Sequence, residues 1–424
     1  MIKLLIVSDD FTGALDTGVK FSAAGARTRV STDVQMDFAA AIPEEVLVLC
    51  APTRHLPAGE AYDMIRRIVM RASAANIGCI YKKTDSALRG NVGAELSAVL
   101  DGSGEKSLCF IPALPGMNRT TRGGIHYIDG VPVDKSVFGQ DPFEPVAVSS
   151  VPELLHLQCK VPVRVISREA LDSFRPGDEN CIYLFDCVTK QDMQAEAARL
   201  HQLNCLKLLA GCAGLAECLP EHLGLTIGDR PAGQIEAHRL VVLCGSVNPI
   251  SCSQMDYGEQ RGYLRVHIPA DRLLSGNNLS SGSDAMMMDY LWNLYCQSPY
   301  LAIDSLQDGR EQVLEGTPEL TLEDIRQKIS RQMGLILKAL IDRGADACFM
   351  IIGGDTLLAF MESIGCHELT PVCELQPGVV LSRIAYRGRE YEIISKSGGF
   401  GEEDLLVTLR NATGVPALGQ FARC

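Results

Sequence analysis

The sequence predicts an α/β protein of two domains, each with a mainly parallel sheet flanked by helices. Its 424 residues exceed the usual size of one hydrophobic core, so two domains of roughly 200 residues each are expected. Short apolar runs alternate with helical stretches in both halves, which is typical of βαβ units. A segment of Gly, Pro and polar residues at 228–237 separates the halves and predicts domains at 1–230 and 238–424.

The N-terminal half opens with the apolar run Lys3 to Val7, a polar loop and a helical pattern from Ala14 to about Ala24. The run Glu45 to Cys50, an amphipathic stretch and the run Cys79 to Lys82 repeat the alternation. Further along, Asp129-Gly130 lies between extended residues and predicts a hairpin turn. These elements predict a sheet whose ligand lies beyond the carboxyl ends of the strands.

The C-terminal half restarts the cycle with a strand at Arg239 to Cys244 and a helix at Pro249 to Gly262. A long helical pattern from Thr321 to Arg343 precedes a buried strand at Ala347 to Ile352. Between them, the stretch Leu273 to Glu315 mixes Ser- and Gly-rich residues with apolar ones and is assigned no function.

Composition excludes several classes of function. The net charge of -13 argues against broad binding to nucleic acid or acidic membranes, because both require attraction to phosphate groups. The 16 cysteines form no C-x-x-C motif and no H-x-x-x-H pair occurs, so a zinc or redox site has little support. No apolar run reaches the ~18 residues of a membrane span. A soluble, cytoplasmic protein with small-molecule partners is expected, and a homo-oligomer stays open.

Asp9 and Asp10 lie in the turn between the first predicted strand and helix. Adjacent carboxylates at a strand end can bind sugar hydroxyls and accept a proton. The alternative is a helix N-cap, because Asp or Thr before a helix often only satisfies the first free N–H groups. Both interpretations stay open at this point.

Two more polar loops follow predicted strands of the same domain. The loop Lys82 to Asn91 could clamp a carboxylate and a transferring phosphate, with Lys83 and Arg89 preferred over Lys82. The loop Pro115 to Gly124 adds cations and hydroxyls. Either could be a solvated surface connection, but together with the first loop they favour a convergent polar site. The candidate substrate contacts are Asp9, Asp10, Lys83, Asp85, Arg89, Asn118 and Arg119.

Three turns of the C-terminal domain suit phosphate. Cys244 to Pro249 is a strand-to-helix turn whose N–H groups can face an anion. Gly353 to Thr356 repeats this arrangement, and Asp355 or Thr356 could cap the helix or touch a metal-bound nucleotide. Lys396 to Gly401 combines a lysine with three glycines before a helix, which indicates a phosphate cradle, or otherwise a plain Gly-rich turn. The Walker A motif of many ATP-binding proteins, G-x-x-x-x-G-K-[ST], is absent from the sequence. The dinucleotide-binding motif G-x-G-x-x-G follows no predicted strand.

Together these loops resemble the four-carbon acid sugar kinase family over nearly the full chain. Six motifs occur in the family's order: Ser8 to Ala14, Lys82 to Gly90, Pro115 to Thr121, Gly245-Ser246, Gly353 to Thr356 and Lys396 to Gly401. The resemblance implies a sugar-acid domain, a nucleotide domain and an active site in the interdomain cleft. It further implies phosphorylation of the 4-hydroxyl of D-threonate or D-erythronate, with 3-oxo-tetronate as the alternative substrate.

Carried over to this chain, the resemblance implies that Asp9 and Asp10 bind substrate hydroxyls and that Arg89 with Lys83 clamps the carboxylate. The implied ATP contacts are Ser246, Gly353, Gly354, Asp355, Thr356, Gly398 and Gly399. We expect Asp10 or Asp9 to accept the hydroxyl proton, while Lys396, Mg²⁺ and glycine N–H groups neutralise the γ-phosphate. The metal ligands are left unassigned.

Two other classes of function stay open. A non-catalytic sensor of sugar acid and nucleotide would retain both pockets, although the sequence offers no DNA-binding element or basic face. An NAD-dependent dehydrogenase would use a similar scaffold, but its glycine fingerprint is missing.

Overall fold

The computed structural model describes residues 1–40, 42–141, 144–229, 234–246, 248–274, 282–305 and 320–413. The chain divides into two compact units, Met1–Pro231 and Ala232–Cys424. Both units combine a mainly parallel sheet with flanking helices, so the predicted α/β class is confirmed. Among the described helices, none has both the length and the apolar character needed to cross a membrane.

The first unit is built on a parallel sheet with a small antiparallel sheet beside it. Its strands are β1 (Leu4–Ser8), β2 (Thr28–Ser31), β3 (Val46–Cys50), β4 (Cys79–Lys83), β5 (Ser107–Ile111), β6 (Arg119–Arg122), β7 (Ile125–Ile128), β8 (Val131–Pro132), β9 (Val163–Ile166), β10 (Cys181–Phe185) and β11 (Leu208–Gly211). Its helices are α1 (Phe11–Ala23), α2 (Ala58–Ala74), α3 (Val92–Ser103), α4 (Val151–His156), α5 (Lys190–Gln202) and α6 (Ala213–Cys218).

The parallel sheet of this unit has the order β2-β3-β1-β4-β11-β5-β10-β9, and β6, β7 and β8 form the antiparallel sheet. The central strand β1 is buried along its whole length, which explains its continuous apolar sequence. Because the central strands are parallel, the loops after β1, β3 and β4 leave the same edge of the sheet. That edge carries the candidate substrate residues.

The second unit contains the strands β12 (Leu240–Cys244), β13 (Leu264–His267), β14 (Tyr300–Asp304), β15 (Cys348–Ile352), β16 (Glu368–Gln376), β17 (Val379–Tyr386) and β18 (Arg389–Lys396). Its helices are α7 (Pro249–Gln260), α8 (Ala270–Leu274), α9 (Gly282–Gln297), α10 (Leu322–Asp342), α11 (Gly354–Ser363) and α12 (Leu405–Ala412). The strands follow the order β13-β14-β12-β15-β18-β17-β16, parallel from β13 to β18 and antiparallel from there to β16.

Several local predictions are confirmed. Asp129 and Gly130 both have positive φ, 50° and 80°, and join β7 to β8 as the predicted hairpin turn. The long helix α10 begins after Thr321, which caps it. The unassigned stretch Leu273 to Glu315 contains α9 and β14, while residues 275–281 and 306–319 lie outside the described residues. Part of the predicted linker, 230–233, also lies outside them.

Candidate active site

Arg54 lies at the centre of a cluster of carboxylates at the carboxyl edge of the first unit. Its Nε donates to Asp9 Oδ2 at 2.7 Å and its Nη2 to Asp10 Oδ1 at 2.8 Å. The same Nη2 is 3.8 Å from Asp85 Oδ1. The loops after β1, β3 and β4 supply these residues, so the parallel topology brings them together. Sequence reasoning missed Arg54, although the loop after β3 obeys the same rule as its neighbours.

The positive charges of this cluster keep Asp9 and Asp85 ionised. Burial raises the pKa of Asp9, but Arg54 and Lys82 outweigh this effect and hold the pKa below its ordinary value. Burial likewise raises the pKa of Asp85, while Arg89 and Arg54 hold it well below the ordinary value. The cluster therefore presents carboxylates as hydrogen-bond acceptors.

Asp9 and Asp10 differ in what their oxygens contact. Asp10 caps α1: its Oδ1 accepts from Gly13 N at 3.2 Å and its Oδ2 from the Thr12 hydroxyl at 2.7 Å. The N-cap interpretation is therefore confirmed for Asp10. Asp9 Oδ1 is buried and has no hydrogen-bond partner among the described residues. A ligand hydroxyl is the type of donor that this oxygen lacks.

Lys83 ends β4 beside the N-terminus of α1. Its Nζ donates to Thr84 O at 2.9 Å, and the side chain is almost fully buried. A Cβ added at Gly13 would lie 2.7 Å from this Nζ, so a larger residue there would displace the end of the lysine side chain. The Thr84 hydroxyl is buried without a hydrogen-bond partner in the described part of the chain. The carboxyl end of β4 thus presents two polar groups to a ligand, the ammonium group of Lys83 and the hydroxyl of Thr84.

Arg89 and Arg119 are oriented around the ring of Phe138. Both guanidinium groups lie 5.2 Å from the ring centroid. Arg89 makes a bidentate pair with Asp85 at 2.9 and 3.1 Å and contacts Asp141 at 3.2 Å. Most of its donors are therefore already engaged. Arg119 donates to the Ser86 hydroxyl.

Asn118 is the predicted substrate contact with the least connection to this cluster. It is exposed and adopts a left-handed backbone with φ of 52° at the end of a 3-10 turn. Its carbonyl accepts from Asp129 N at 3.0 Å. Its described contact therefore fixes the hairpin loop.

A buried network supports the loop that carries Arg54. Lys82 Nζ pairs with Glu95 at 2.9 Å, and the Thr53 hydroxyl donates to the same carboxylate. The side-chain amide of Asn91 donates to the carbonyls of Thr53 at 2.9 Å and Leu56 at 2.8 Å. Arg54 is thus held from both sides of its loop. This network was not predicted from the sequence, because it depends on contacts between α3 and the loop after β3.

In the second unit, three loops meet at the carboxyl edge of β12, β15 and β18. A Cβ added at Gly398 would collide with the Ser246 hydroxyl, and one at Gly245 would collide with the Thr356 hydroxyl. Gly353 has a φ of 116° and its N–H donates to the carbonyl of Lys396 at 2.9 Å. The predicted nucleotide residues Ser246, Gly353, Thr356 and Gly398 are therefore brought together.

Gly354 and Asp355 begin α11 at this edge. The Asp355 carboxylate is 53% exposed and pairs with Arg326 at 3.2 Å. Within the residues that the structure describes, no group of three or more His, Cys, Asp or Glu side chains is arranged to hold a metal ion. Asp355 and the nearby Thr356 hydroxyl are the kind of oxygen ligands that would accept Mg²⁺ together with phosphate oxygens.

Lys396 is buried beneath the glycine loop rather than exposed above it. Its Nζ donates to Phe400 O at 3.0 Å and to Gly398 O at 3.1 Å, and lies 3.4 Å from the Ser251 hydroxyl. Burial lowers the pKa of Lys396 to about 8. In the described geometry its ammonium group holds the loop itself. Gly399, the next glycine, is exposed.

Family models match both units of the chain. The model described as "Sugar-binding N-terminal domain" matches residues 4–219, and the one described as "Nucleotide-binding C-terminal domain" matches residues 241–406. The chain belongs to the four-carbon acid sugar kinase family. The carboxylate–arginine cluster therefore lies in the sugar-binding domain of this family, and the glycine loops lie in its nucleotide-binding domain.

Relatives within this family match the chain over nearly its full length. A D-threonate kinase of Salmonella typhimurium is 26% identical over 420 residues, which cover 96% of this chain and 97% of the relative. A D-erythronate kinase of Heliobacterium modesticaldum is 26% identical and covers 96% of each chain. A 3-oxo-tetronate kinase of Brucella melitensis is 24% identical, covering 95% of this chain and 94% of the relative.

The fold also has a solved counterpart. A crystal structure of a Haemophilus influenzae protein superposes with a TM-score of 0.71, at 18% identity, over 96% of this chain and 99% of that one. At this identity the likeness concerns the fold alone.

Proposed function

We propose that this chain is an ATP-dependent kinase that phosphorylates the 4-hydroxyl of a four-carbon sugar acid. D-Threonate and D-erythronate are the proposed substrates, and a 3-oxo-tetronate is the alternative. The observation that carries the proposal is the buried, ionised Asp9 in the sugar-binding domain, whose Oδ1 has no hydrogen-bond partner among the described residues. Such an oxygen requires a donor, and a sugar hydroxyl is one.

The first unit has suitable partners for both ends of a sugar acid. Asp9 and Asp10 would accept hydrogen bonds from the hydroxyls of the sugar acid, and cationic side chains would bind its carboxylate. Lys83 donates one described hydrogen bond, to Thr84 O, which leaves ammonium protons for a carboxylate. Most N–H donors of Arg89 are engaged by Asp85 and Asp141, so we propose that Arg89 contributes less than Lys83 to binding the substrate carboxylate. Contacts of Asp85, Asn118 and Arg119 with substrate stay predictions.

The reaction requires the acceptor hydroxyl to be oriented and its proton to be removed as the phosphoryl group transfers. Asp10 or Asp9 would perform this step. The pKa of Asp9 is held low, which makes it a weak base, but phosphoryl transfer depends more on positioning and charge neutralisation than on base strength. The Arg54 pairs support the proposal, because they fix both carboxylates in place.

The second unit would bind ATP through backbone N–H groups and hydroxyls. Ser246, Thr356 and the glycines of the three loops are the proposed contacts, consistent with the nucleotide-binding domain to which they belong. ATP supplies the phosphoryl group, and Mg²⁺ bound with it, near Asp355 and Thr356, would neutralise phosphate charge. A direct contact of Lys396 with the γ-phosphate, and an active site in the interdomain cleft, stay predictions.

A coupled assay of ADP release tests the proposal. The purified protein is incubated with ATP-Mg²⁺ and, separately, with D-threonate, D-erythronate, L-threonate and 3-oxo-tetronates. We expect acid-dependent ADP release with one of them, and a product phosphorylated at the 4-oxygen by ³¹P NMR. Binding of both ligands without ADP release would instead favour the sensor. Thermal stabilisation by NAD(H) and not by ATP-Mg²⁺ would favour the dehydrogenase.

A further inference from the structure

The glycine loop of the second unit, residues 397–402, is held from its inner side by three buried side chains. Lys396 Nζ donates to Gly398 O at 3.1 Å and Phe400 O at 3.0 Å. The Ser251 hydroxyl donates to Gly398 O at 2.9 Å. Gln254 Nε2 donates to Phe400 O at 3.1 Å and Glu402 O at 2.8 Å. The carbonyls of alternate residues are therefore all turned toward the interior.

This arrangement determines where the loop's N–H groups point. In a planar trans peptide unit, the N–H of one residue points opposite to the C=O of the residue before it. Inward carbonyls at Gly398, Phe400 and Glu402 therefore direct the N–H groups of Gly399, Gly401 and Glu403 outward. No acceptor contacts these three N–H groups among the described residues. These three outward N–H groups lie on alternate residues of one loop and form a nest of donors that can bind an anion.

The three inner side chains come from two elements that the sequence places far apart. Ser251 and Gln254 lie three residues apart on one face of α7, and Lys396 ends β18. All three have no exposed surface. A buried ammonium group carries a desolvation cost, so its retention at this point requires hydrogen-bond acceptors, which the loop carbonyls supply. The loop and its buried donors form one unit.

We propose that Lys396, with Ser251 and Gln254, is a positioning residue that shapes the glycine loop into a phosphate-binding nest. The inference rests on the proposed function and replaces a direct contact between Lys396 and the γ-phosphate. The positive charge lies beneath the loop and also attracts the bound phosphates through it. Gln254 and Ser251 act only through the loop.

ADP separates the two roles of Lys396, because it lacks the γ-phosphate. A lysine that touches the γ-phosphate would leave ADP affinity unchanged when it is removed. A lysine that shapes the nest would change the affinity for ADP as well as that for ATP. The lysine substitution is Lys396→Met, which keeps the length of the side chain and removes the ammonium group. Lys338→Met is the matched control, because Lys338 is a partly exposed lysine that pairs with Asp342 within α10.

Isothermal titration with ADP is the measurement. We expect Lys396→Met to weaken ADP binding by about tenfold or more, because a charge-assisted pair of hydrogen bonds is lost from the loop. Gln254→Met should weaken ADP binding several-fold, and Lys338→Met should leave it unchanged. Unchanged ADP affinity in Lys396→Met, with only turnover reduced, would overturn the positioning role. Failure of the unaltered protein to bind ADP would count against the proposed function instead.

The pH dependence of ADP binding is a second test that does not require a variant to fold. Since the pKa of Lys396 is about 8, its charge is lost between pH 7 and 9.5. Burial raises the pKa of the neighbouring Cys244 to about 12, so that thiol stays neutral in this range. The charged groups that follow the loop are the exposed acids Glu402, Glu403 and Asp404. ADP affinity should fall roughly tenfold over this range, and a flat profile would contradict the role.

Discussion

The two proposed binding regions of this chain use different chemistry. In the first unit, charged side chains on neighbouring loops pair with one another, with Arg54 between Asp9 and Asp10. In the second unit, glycines and hydroxyls pack so closely that a Cβ at Gly245 or Gly398 would collide with a neighbouring side chain. One site depends on balanced charges, and the other depends on the shape of the backbone.

This difference determines how each site should fail. Removing one member of a buried charge cluster leaves its partners without compensation, which costs more than the pair contributes. A backbone site keeps its donors as long as the loop keeps its shape, and it fails when added atoms or the loss of a buried support such as Lys396 displace the loop. Substitutions within the charge cluster should therefore damage acid binding selectively, while substitutions that displace the glycine loop should damage nucleotide binding.

The largest effect is expected for Asp10→Asn. With Asp10 as the proton acceptor, turnover should fall by about 10²–10⁴-fold, because the acceptor hydroxyl loses the group that takes its proton. Asn caps a helix about as well as Asp, so α1 should be retained, but the loss of the charged pair with Arg54 should lower the melting temperature. ATP affinity should stay nearly intact. Steady-state kinetics with each proposed acid measure the effect, and near-normal turnover would remove Asp10 from the mechanism.

Arg54→Met should have the next largest effect. It leaves Asp9, Asp10 and Asp85 without their shared cation, so kcat/KM for the acid should fall by about 100-fold while ADP affinity is retained. The control is Arg164→Met, since Arg164 pairs with Glu179 on the exposed surface.

Arg54→Met should also change how the free energy of unfolding depends on pH under acidic conditions. The pKa of Asp9 lies below its ordinary value of 3.8, so its pairing stabilises the fold above that pH and this contribution is lost on further acidification. Arg54→Met should show a smaller loss of stability between neutral and acidic pH than the unaltered protein. Equal acid dependence in urea titrations would contradict the charge-cluster description.

Gly398→Ala should act on the nucleotide alone. The added methyl would collide with the Ser246 hydroxyl, and relieving such overpacking costs about 1–3 kcal/mol. ADP affinity should fall about tenfold, while acid binding is unchanged. Gly59→Ala is the matched control, because no heavy atom lies within 4 Å of a Cβ added there. Reduced binding of the sugar acid in Gly398→Ala would contradict the conclusion that this substitution affects only the nucleotide site.

The smallest effect is expected for Asn91→Ala. The substitution leaves the carbonyls of Thr53 and Leu56 without their amide donor, which loosens the loop that carries Arg54. KM for the acid should rise about three- to tenfold with a smaller change in kcat. Asn293→Ala, on the exposed side of α9, should change neither constant. A change in kcat without a change in KM would argue against a role for Asn91 in positioning Arg54.

Much of the fold was predictable, because the signals are local. The buried strands are continuous apolar runs. Two adjacent residues, Asp129 and Gly130, are sufficient to predict the hairpin turn, and Thr321 lies at the start of α10. The strand β16 was not predicted, because exposed and buried positions are mixed along its sequence and it contains no continuous apolar run. Strands with such a mixed pattern carry a weak sequence signal.

The candidate sites were predictable only in part. The rule that ligands bind beyond parallel strand ends pointed to Asp9, Asp10, Lys83 and the glycine loops. It should also have pointed to Arg54, which follows β3. Nothing local could show that Arg89 pairs with Asp141 or that Phe138 stacks against two arginines. Such contacts join residues that are distant in the chain.

The sequence by itself determined the α/β class, the polar loops at the strand ends and the resemblance to a family, because each depends on short runs of residues. Only the tertiary structure decided which charges neutralise one another. It placed Lys396 under its loop, with its Nζ bonded to Gly398 O and Phe400 O. The physical reason is that pairing and burial depend on three-dimensional neighbours, whereas a charged residue in a sequence looks the same whether its partner is a ligand, a carboxylate or a backbone carbonyl.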